Sequence, residues 1–421
     1  MPLDIISLLI FVGCIVLFVW DKLPMATTAI LGCVVMVSFG VCDFKTAFGQ
    51  FASSTVILTI GVMIIGAAIA ETGLAATIGA WIVRVSKGSE KKLIAGTYLV
   101  SALMSAFMTN SAVLAIFIPI IQSLSLSNKQ IKAKNLIMPI AYGCVIGGAS
   151  TLVGSTQQMT AQGLLAEGGF RTFRTFDFSL VGGILILFGL LYCLSVGYKR
   201  GITIWGDRED EEYEVKSLDV QYDQRKIITI AVIFCMTVVL YITEWLPLAI
   251  TSTSGALLCI ITGCVTQSKA IASVNWNIVG RLAGCLGLAK ALEAAGGTVL
   301  ISAGFQNLLG DSVSPFLLFC IFVFFVQFTS EFISNSTAIL IVMPIMLSIA
   351  PAMGLNTYAY ALGMTIASGV ALSNPLASST LGMSMSAGYH FNDYFRYSFF
   401  FDIITYLTII SAVPVIYGLT I

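Results

Sequence analysis

The sequence predicts an all-α, polytopic membrane protein with two inverted-topology repeats, about ten transmembrane crossings, two re-entrant hairpins and two broken helices. Three observations support this prediction. Hydrophobic residues make up 57% of the 421 residues and charged residues only 10%, with a mean hydropathy of +0.96, which is too apolar for a soluble chain of this length. The sequence also matches itself at an offset of about 223 residues. In each half, polar residues interrupt two of the apolar stretches.

Composition excludes several classes of function. The formal net charge is zero, so the chain has no electrostatic footprint for a nucleic-acid partner. Ten cysteines are scattered without a CxxC pair, and His390 is the only histidine, so neither a disulfide framework nor a histidine-based metal centre is expected. Because the predicted spans lack a paired-Asp, HExxH or Ser/His arrangement, we expect a protein that is not an enzyme.

The internal repeat rests on identities in a common register. Apolar sequences match one another by chance, but Gly, Pro and Asn positions that recur together are informative. Pairs separated by 223 positions include Phe11/Phe234, Pro24/Pro247, Gly32/Gly255, Gly40/Gly263, Ala47/Ala270, Gly61/Gly284 and Gly73/Gly296. Pairs separated by 225 positions include Phe107/Phe332, Asn110/Asn335, Pro119/Pro344 and Ser123/Ser348.

The repeat divides the chain into halves at 1–200 and 224–421, joined by a charged linker at 201–223 that we expect to be a solvated loop. We predict hairpins at 93–124 and 314–350 and broken helices at 136–166 and 358–388. The other predicted spans are 3–20 (retained, not a signal peptide), 24–41, 54–71, 179–197, 226–243, 247–265, 278–293 and 398–419, and 77–92 is predicted to be an amphipathic surface helix.

The distribution of Lys and Arg predicts the orientation in the membrane. If each hairpin turns back within the bilayer, sixteen Lys and Arg fall on one side, and only Lys45, Arg171 and Arg174 fall on the other. The positive-inside rule makes the first side cytoplasmic. We therefore expect a multi-pass protein of the cell membrane with both termini extracytoplasmic and the linker cytoplasmic. If each hairpin instead crossed the membrane completely and returned, every flanking loop would stay on the side assigned to it above. Charge alone therefore does not establish re-entry.

The four polar interruptions occupy corresponding positions in the two halves. The hairpin tips read "TNS" at 109–111 and "SNS" at 334–336, and the breaks read "GGASTLVGSTQQMT" at 147–160 and "GVALSNPLASSTLG" at 369–382. Irregular backbone survives within a membrane only where it is buried in protein or lines a cavity. Helix starts can hold an anion through free N–H groups, and nearby carbonyl and hydroxyl oxygens suit sodium. The pattern therefore predicts a transport site.

These motifs resemble those of the divalent anion:sodium symporter family, within the wider ion-transporter superfamily. The tips look like that family's Ser-Asn-Thr tips, "VGSTQQ" at 153–158 stands where the family has Gly-Thr-Pro-Pro-Asn, and "PLASST" at 375–380 stands where it has Pro-x-Ala-Thr-Pro-Pro. The resemblance covers the whole chain. It implies a secondary active transporter that couples a small di- or tricarboxylate, or an inorganic divalent anion, to sodium by alternating access. We also expect a homodimer formed through the scaffold, by which we mean the spans other than the hairpins and the broken helices.

Carried over by position, the resemblance implies one substrate site and two sodium sites. The candidate substrate-binding residues are Asn110, Ser111, Ser155, Asn335, Ser336 and Ser378, to which we add Thr337 and Gln157. One sodium would lie among Ser105, Thr109, Asn110 and Gly154, and the other among Ser330, Ile333, Asn335 and Ala377.

The sequence departs from the family pattern at both breaks. Thr156-Gln157 and Ser379-Thr380 replace the Pro-Pro pairs, and both tips end in Ser instead of Thr. The turns are thus less rigid, and Gln157-Gln158 adds amide donors and acceptors at the site. A different small anion or a more polar organic acid is therefore an open alternative to a dicarboxylate.

Charged residues bear on the coupling ion. We expect no Lys or Arg at the site, so that helix dipoles and sodium offset the charge of the anion. Glu331 has Ala106 as its counterpart in the first half; it could bind a proton or a cation, pair with another residue, or face an external vestibule. An exchanger or a proton-coupled carrier that uses Glu331 is the alternative to sodium symport. A channel is a further rival, although the sequence shows no ring of repeated charges.

Overall fold

The computed structural model describes residues 2–20, 22–85, 89–127, 131–206, 222–300, 314–375 and 377–420. Within these ranges the chain is helical and forms no sheet. The first half contains α1 (Leu3–Trp20), α2 (Met25–Ser38), α3 (Phe44–Phe48), α4 (Ser54–Thr72), α5 (Leu74–Val85), α6 (Glu90–Ser105), α7 (Asn110–Ser127), α8 (Ala133–Gly148), α9 (Thr156–Glu167), α10 (Ser179–Leu194) and α11 (Val196–Trp205). The second half contains α12 (Gln224–Thr243), α13 (Leu248–Ile261), α14 (Gln267–Ser273), α15 (Trp276–Ala294), α16 (Pro315–Ser330), α17 (Asn335–Ala352), α18 (Thr357–Gly369), α19 (Ser379–Ser384) and α20 (Phe391–Tyr417).

Several of these helices are long and apolar enough to cross a membrane. Among the described residues, the full-length candidates are Phe44–Thr72, Gln224–Thr243, Asn335–Ala352 and Phe391–Tyr417. The pair α10 and α11, bent by 48°, adds one more if it is counted as a single span. α1, α2, α7, α13 and α16 are apolar but shorter. The predicted all-α membrane fold is confirmed, whereas the number of crossings and the inversion of one half stay predictions.

Each predicted hairpin contains a short non-helical turn. The first turn separates α6 from α7 at 106–109, and the second separates α16 from α17 at 331–334. Both bounds of α16 and both bounds of α17 lie 225 positions after those of α6 and α7. In each case an asparagine begins the second helix, so the polar tip of the hairpin coincides with a helix N-terminus. Re-entry within the bilayer stays a prediction.

The broken helices are interrupted where the glycine-rich and proline-containing motifs stand. We call residues 149–155 the first break, and residues 370–375 with 377–378 the second break. The helices that lead into the breaks form the centre of the molecule, since every residue of α8 and every residue of α18 except its first is buried. Burial on all faces keeps the irregular backbone that follows away from lipid.

Gly147 allows α8 to approach α6 closely. A Cβ added there would lie 2.1 Å from the carbonyl oxygen of Ala102, so any side chain at this position would force the two backbones apart. Small residues at helix contacts are the usual means of close packing in membranes.

We expect Gly147→Ala to destabilise the protein by about 1–3 kcal/mol, because the added methyl group overpacks a buried contact. Thermal unfolding of the detergent-solubilised protein, followed by tryptophan fluorescence, measures the effect. Gly183→Ala on α10 is the matched control, because a Cβ there meets nothing within 4 Å. Equal melting temperatures for the two variants would contradict the proposed tight contact.

The structure moves the start of the predicted linker. Instead of a loop from residue 201, α11 continues to Trp205, which is 1% exposed. The indole Nε1 of Trp205 donates a hydrogen bond to Oδ1 of Asn135 on α8 over 2.8 Å, and this packing extends the helix. Residues 207–221 of the linker lie outside the described residues.

The amphipathic helix predicted at 77–92 is not continuous. α5 ends at Val85, and α6 begins at Glu90. Ser89 has an extended backbone conformation and stands at the N-cap position of α6 without a side-chain cap, so the second part of the predicted segment belongs to the first hairpin. Residues 86–88 lie outside the described residues.

Candidate functional site

Both hairpin turns and both breaks border one cavity of about 700 Å³. Its lining draws on both halves of the chain, and hydroxyl and amide groups predominate at the hairpin tips. The predicted site residues that line it are Thr109, Asn110, Ser111, Gly154, Ser155, Gln157, Asn335, Ser336, Ala377 and Ser378. The predicted site residues outside the lining are Ser105, Ser330, Ile333 and Thr337.

Asn110 organises the first-half cluster. Its Oδ1 accepts a hydrogen bond from Ser105 Oγ over 2.7 Å, and its Nδ2 donates to Ser155 Oγ over 3.3 Å. Ser105 ends α6, Asn110 begins α7, and Ser155 is the last residue before α9. One amide therefore connects the first hairpin tip to the first break.

Two glycines make room for this cluster. A Cβ at Gly148 would lie 2.1 Å from Asn110 Oδ1, and a Cβ at Gly154 would lie 2.5 Å from the Gly148 carbonyl oxygen and 2.9 Å from that of Ser105. Hydroxyl, amide and carbonyl oxygens thus converge on a small space. Oxygen ligands of this kind suit a hard monovalent cation, so the predicted sodium residues of the first half fit the ion.

The second-half counterparts present buried oxygens that no donor among the described residues satisfies. Ser330 is 0% exposed and Asn335 is 9% exposed, yet within the described part of the chain Ser330 Oγ and Asn335 Oδ1 have no hydrogen-bond partner. An unsatisfied buried oxygen is costly unless a cation or water pairs with it. Ile333 is partly buried beside them, and Ala377 is 1% exposed. These atoms fit the second predicted sodium site.

Two hydroxyl pairs join the hairpin tip of one half to the start of the helix that follows the break of the other half. Ser111 Oγ lies 2.8 Å from Ser379 Oγ, and Ser336 Oγ lies 2.8 Å from Thr156 Oγ1. Both pairs line the cavity, and hydroxyl groups can exchange such mutual bonds for bonds to an anion. Sequence reasoning left Thr156, Ser379 and the neighbouring Thr380 out of the candidate set. The signal was available, because these residues occupy the positions of the missing Pro-Pro pairs.

Arg281 contradicts the expectation that no Lys or Arg lies at the site. It lines the cavity, and its Nη1 donates to Ser334 Oγ over 3.4 Å at the second hairpin tip. The residue was placed within a predicted span, where an arginine is a functional candidate by default, but nothing in the sequence indicated which face of the span would meet the tips. The site therefore contains a fixed positive charge.

The start of α15 directs Arg281 towards the cavity. Asn275 caps this helix through its Oδ1, which accepts hydrogen bonds from the backbone N–H groups of Asn277 and Ile278 over 3.2 Å each. Arg281 follows within the second helical turn, while its neighbours Leu282 and Ala283 are buried. Asn275 and Asn277 also line the cavity, so the start of α15 adds two amides to the lining that contains the guanidinium.

Thr337 and Gln157 lie at the edges of the site. Thr337 Oγ1 is 2.8 Å from Met25 Sδ and 2.6 Å from Ser334 Oγ, so this side chain supports the hydroxyl that Arg281 contacts. Gln157 is 3% exposed, and a Cβ on Gly369 would lie 2.5 Å from its Nε2. The Gln157 amide therefore packs against the end of α18.

Glu331 binds the same stretch of backbone as Asp402 on α20, an acid that sequence reasoning did not single out. Glu331 Oε2 is buried and has no hydrogen-bond partner among the described residues, and a buried carboxylate oxygen in this state calls for a proton or a bound cation. Glu331 Oε1 accepts from the backbone N–H of Ser373 over 3.3 Å, and Asp402 Oδ1 accepts from that of Leu372 over 3.2 Å. Both acids therefore hold the backbone of the second break.

Comparison with known proteins gives a family and a fold. The family described as "Citrate transporter" matches residues 15–367. The uncharacterized transporter YfbS of Escherichia coli (strain K12) is 30% identical over 196 residues, which cover 46% of this chain and 32% of that protein. The sodium-dependent high-affinity dicarboxylate transporter 3 of Caenorhabditis elegans is 22% identical, covering 89% of this chain and 76% of that protein.

A solved transporter structure has the same fold. The crystal structure of the Alcanivorax borkumensis YdaH transporter, which its title describes as having an unusual topology, aligns with a TM-score of 0.61. The sequences are 13% identical, and the alignment covers 96% of this chain and 97% of that chain. At this identity the similarity concerns the fold alone.

Proposed function

This chain belongs to the citrate-transporter family, and we propose that it is a secondary active transporter that moves a di- or tricarboxylate across the membrane together with sodium. The resemblance to the divalent anion:sodium symporters is confirmed by the family match and by relatives named sodium-dependent dicarboxylate transporters. The expectation that the protein is not an enzyme is confirmed as well, because the family and these relatives are transporters.

One observation carries the proposed substrate class: Arg281 and the two polar hairpin tips face the same cavity. A guanidinium presents a planar fork of donors that matches a carboxylate, and the starts of α7 and α17 add free backbone N–H groups. A cavity of about 700 Å³ falls in the range of organic-ligand sites. These features favour an organic polyanion over a small inorganic one.

Sodium coupling is supported by the two oxygen clusters. The Ser105 and Asn110 side chains, bonded over 2.7 Å, belong to the first, and the unsatisfied Ser330 Oγ and Asn335 Oδ1 belong to the second. Because each cluster adjoins a tip that lines the cavity, a bound sodium would lower the electrostatic cost of holding an anion there. We propose two sodium sites on this basis.

The proposed mechanism is alternating access. The hairpins and broken helices would move as one unit against a scaffold of the remaining spans, and α15 would present Arg281 from that scaffold. We propose inverted repeats, a cytoplasmic linker, extracytoplasmic termini and a homodimer formed through the scaffold. The orientation is tested by replacing Lys45 or Lys226 with cysteine and measuring whether a membrane-impermeant thiol reagent labels it from outside. These two positions are predicted to lie on opposite sides of the membrane.

Transport by the purified protein tests the function. We expect proteoliposomes to accumulate radiolabelled citrate or succinate when an inward sodium gradient is imposed, and not when potassium replaces sodium. Empty liposomes are the control for leakage. Uptake that is unchanged without sodium would contradict symport and leave the exchanger or the proton-coupled carrier. The relevant observation for a proton-coupled carrier is the buried Glu331 Oε2, which has no hydrogen-bond partner among the described residues. Conductance far above carrier rates would indicate a channel.

A further inference from the structure

A second cavity, of about 370 Å³, lies between α11 and the start of α20, away from the transport site. We call it the basic groove. Its lining consists of Lys199, Arg200, Thr203, Ile204, Phe395, Arg396, Phe399 and Phe400. Three cations and three aromatic rings therefore share a groove in which none of the lining residues is acidic.

The cations of the groove are not neutralised by the described acids. No ion pair in the described ranges includes Lys199, Arg200 or Arg396. Three uncompensated cations in one groove repel each other, which is unfavourable unless an anion occupies the space between them. Charge complementarity thus defines the occupant as an anion.

Arg200 is held in position to bind this anion. Its Nη1 donates a hydrogen bond to the backbone oxygen of Arg396 over 2.8 Å, and its guanidinium lies 4.4 Å from the centre of the Phe400 ring. A guanidinium has five N–H donors, so these contacts fix the group and still leave donors for a ligand. Such preorganisation reduces the entropic cost of binding.

The position of the groove along α20 indicates the level of the lipid headgroups. α20 has 27 residues and is therefore about 40 Å long, which exceeds the roughly 30 Å of a bilayer's hydrocarbon core. Arg396 stands in the second turn, so it lies near the membrane surface. Phe395, Phe399 and Phe400 are 52%, 43% and 50% exposed and extend the groove along the exposed side of the helix.

We propose that the basic groove binds the phosphate headgroup of an anionic phospholipid whose acyl chains lie along the exposed phenylalanines of α20. A soluble anion would leave these rings unused, whereas a phospholipid matches both the cations and the apolar surface beside them. Basic pockets between membrane helices are known to bind such headgroups. The bound lipid would connect α11 to α20 and so stabilise α11 in its bent orientation relative to α10.

Native mass spectrometry of the purified protein, titrated with phosphatidylglycerol or phosphatidylcholine, tests the proposal. We expect the wild type to retain phosphatidylglycerol in preference to phosphatidylcholine. The double variant Lys199→Gln/Arg396→Gln should bind phosphatidylglycerol about thirtyfold more weakly, since each of the two basic residues near the surface contributes a factor of about five. The double variant Arg225→Gln/Lys226→Gln, with the same charge change at the start of α12, should bind as the wild type does.

Further variants and competitors separate the outcomes. Lys199→Arg/Arg396→Lys keeps both charges and should restore binding, and the single variants replace the neutral double variant if it does not purify as a monodisperse protein. Equal retention of phosphatidylglycerol by the wild type and the neutral variant would overturn the proposal. So would equal binding of phosphatidylcholine, displacement of the lipid by equimolar inorganic phosphate, or the absence of any retained lipid. None of these results depends on the transported substrate.

Discussion

Replacing Arg281 with glutamine is expected to weaken the binding of citrate by about a hundredfold. The guanidinium of Arg281 supplies the side-chain positive charge that we propose binds the anion in the cavity. Removing one partner of a partly desolvated, hydrogen-bonded charge pair costs about 2–5 kcal/mol. Glutamine retains much of the length of the side chain and one amide donor. The loss of citrate affinity would therefore result from the missing charge and the missing fork of N–H donors, and not from a smaller side-chain volume. Equilibrium binding of radiolabelled citrate in detergent, at saturating sodium, measures the change.

The same variant should leave sodium binding almost unaltered. Arg281 contacts Ser334 at the second tip, whereas the proposed sodium ligands of the first half are bonded to Asn110. A sodium titration without citrate should therefore give similar affinities for wild type and Arg281→Gln. A parallel loss of sodium affinity would mean that Arg281 acts by holding the tip in place and not by binding the anion.

Two further variants control for charge and geometry. Arg281→Lys keeps the charge but not the planar fork, and we expect a loss of citrate affinity of about tenfold. Lys290→Gln removes a charge from the same helix, but Lys290 pairs with Glu167 over 3.7 Å and with Glu293 over 3.5 Å, outside the cavity lining. It should not change citrate affinity. Unchanged citrate binding by Arg281→Gln would refute the proposed substrate contact.

The elements at the site could be located from the sequence because they break strong patterns. Polar motifs inside apolar runs and a repeat offset of 223–225 residues identified both tips and both breaks. The structure begins α7 at Asn110 and α17 at Asn335, and interrupts α8 and α18 where the motifs predict. Asparagine and serine at helix starts, together with glycine and proline beyond helix ends, are local signals that hold even inside a membrane.

Long-range contacts could not be located in this way. Arg281 and Asp402 were each visible as charges inside predicted spans, but their contacts lie in distant, non-helical parts of the chain: Ser334 in the second hairpin turn for Arg281 and Leu372 in the second break for Asp402. Which face of a helix meets a neighbour depends on packing, and in a span that is apolar on all sides no hydrophobic periodicity marks that face. Sequence reasoning therefore gave the polar tips and missed the charges that stand opposite them.

The Asn110→Ala and Asn335→Ala variants are each expected to abolish sodium-driven uptake, with different effects on stability. Asn110 makes hydrogen bonds to Ser105 and Ser155, so Asn110→Ala leaves two hydroxyls without that partner and should cost about 1–3 kcal/mol of folding stability. Asn335 Oδ1 has no partner among the described residues. Its removal should lower sodium affinity by at least about tenfold with little change in melting temperature.

This difference separates a ligand from a structural residue. If Asn335 were only part of the hairpin packing, its replacement would destabilise the protein and spare sodium affinity, whereas a cation ligand that lacks protein partners should show the reverse. Melting curves recorded without sodium measure the stability, and the rise in melting temperature with increasing sodium concentration measures the sodium affinity. Ser348→Ala, farther along α17, removes a hydroxyl bonded to the Pro344 carbonyl over 2.9 Å and should leave sodium affinity unchanged. Sodium-dependent uptake retained by both asparagine variants would refute the proposed site, because the oxygen cluster at each tip would then have lost its central ligand without consequence.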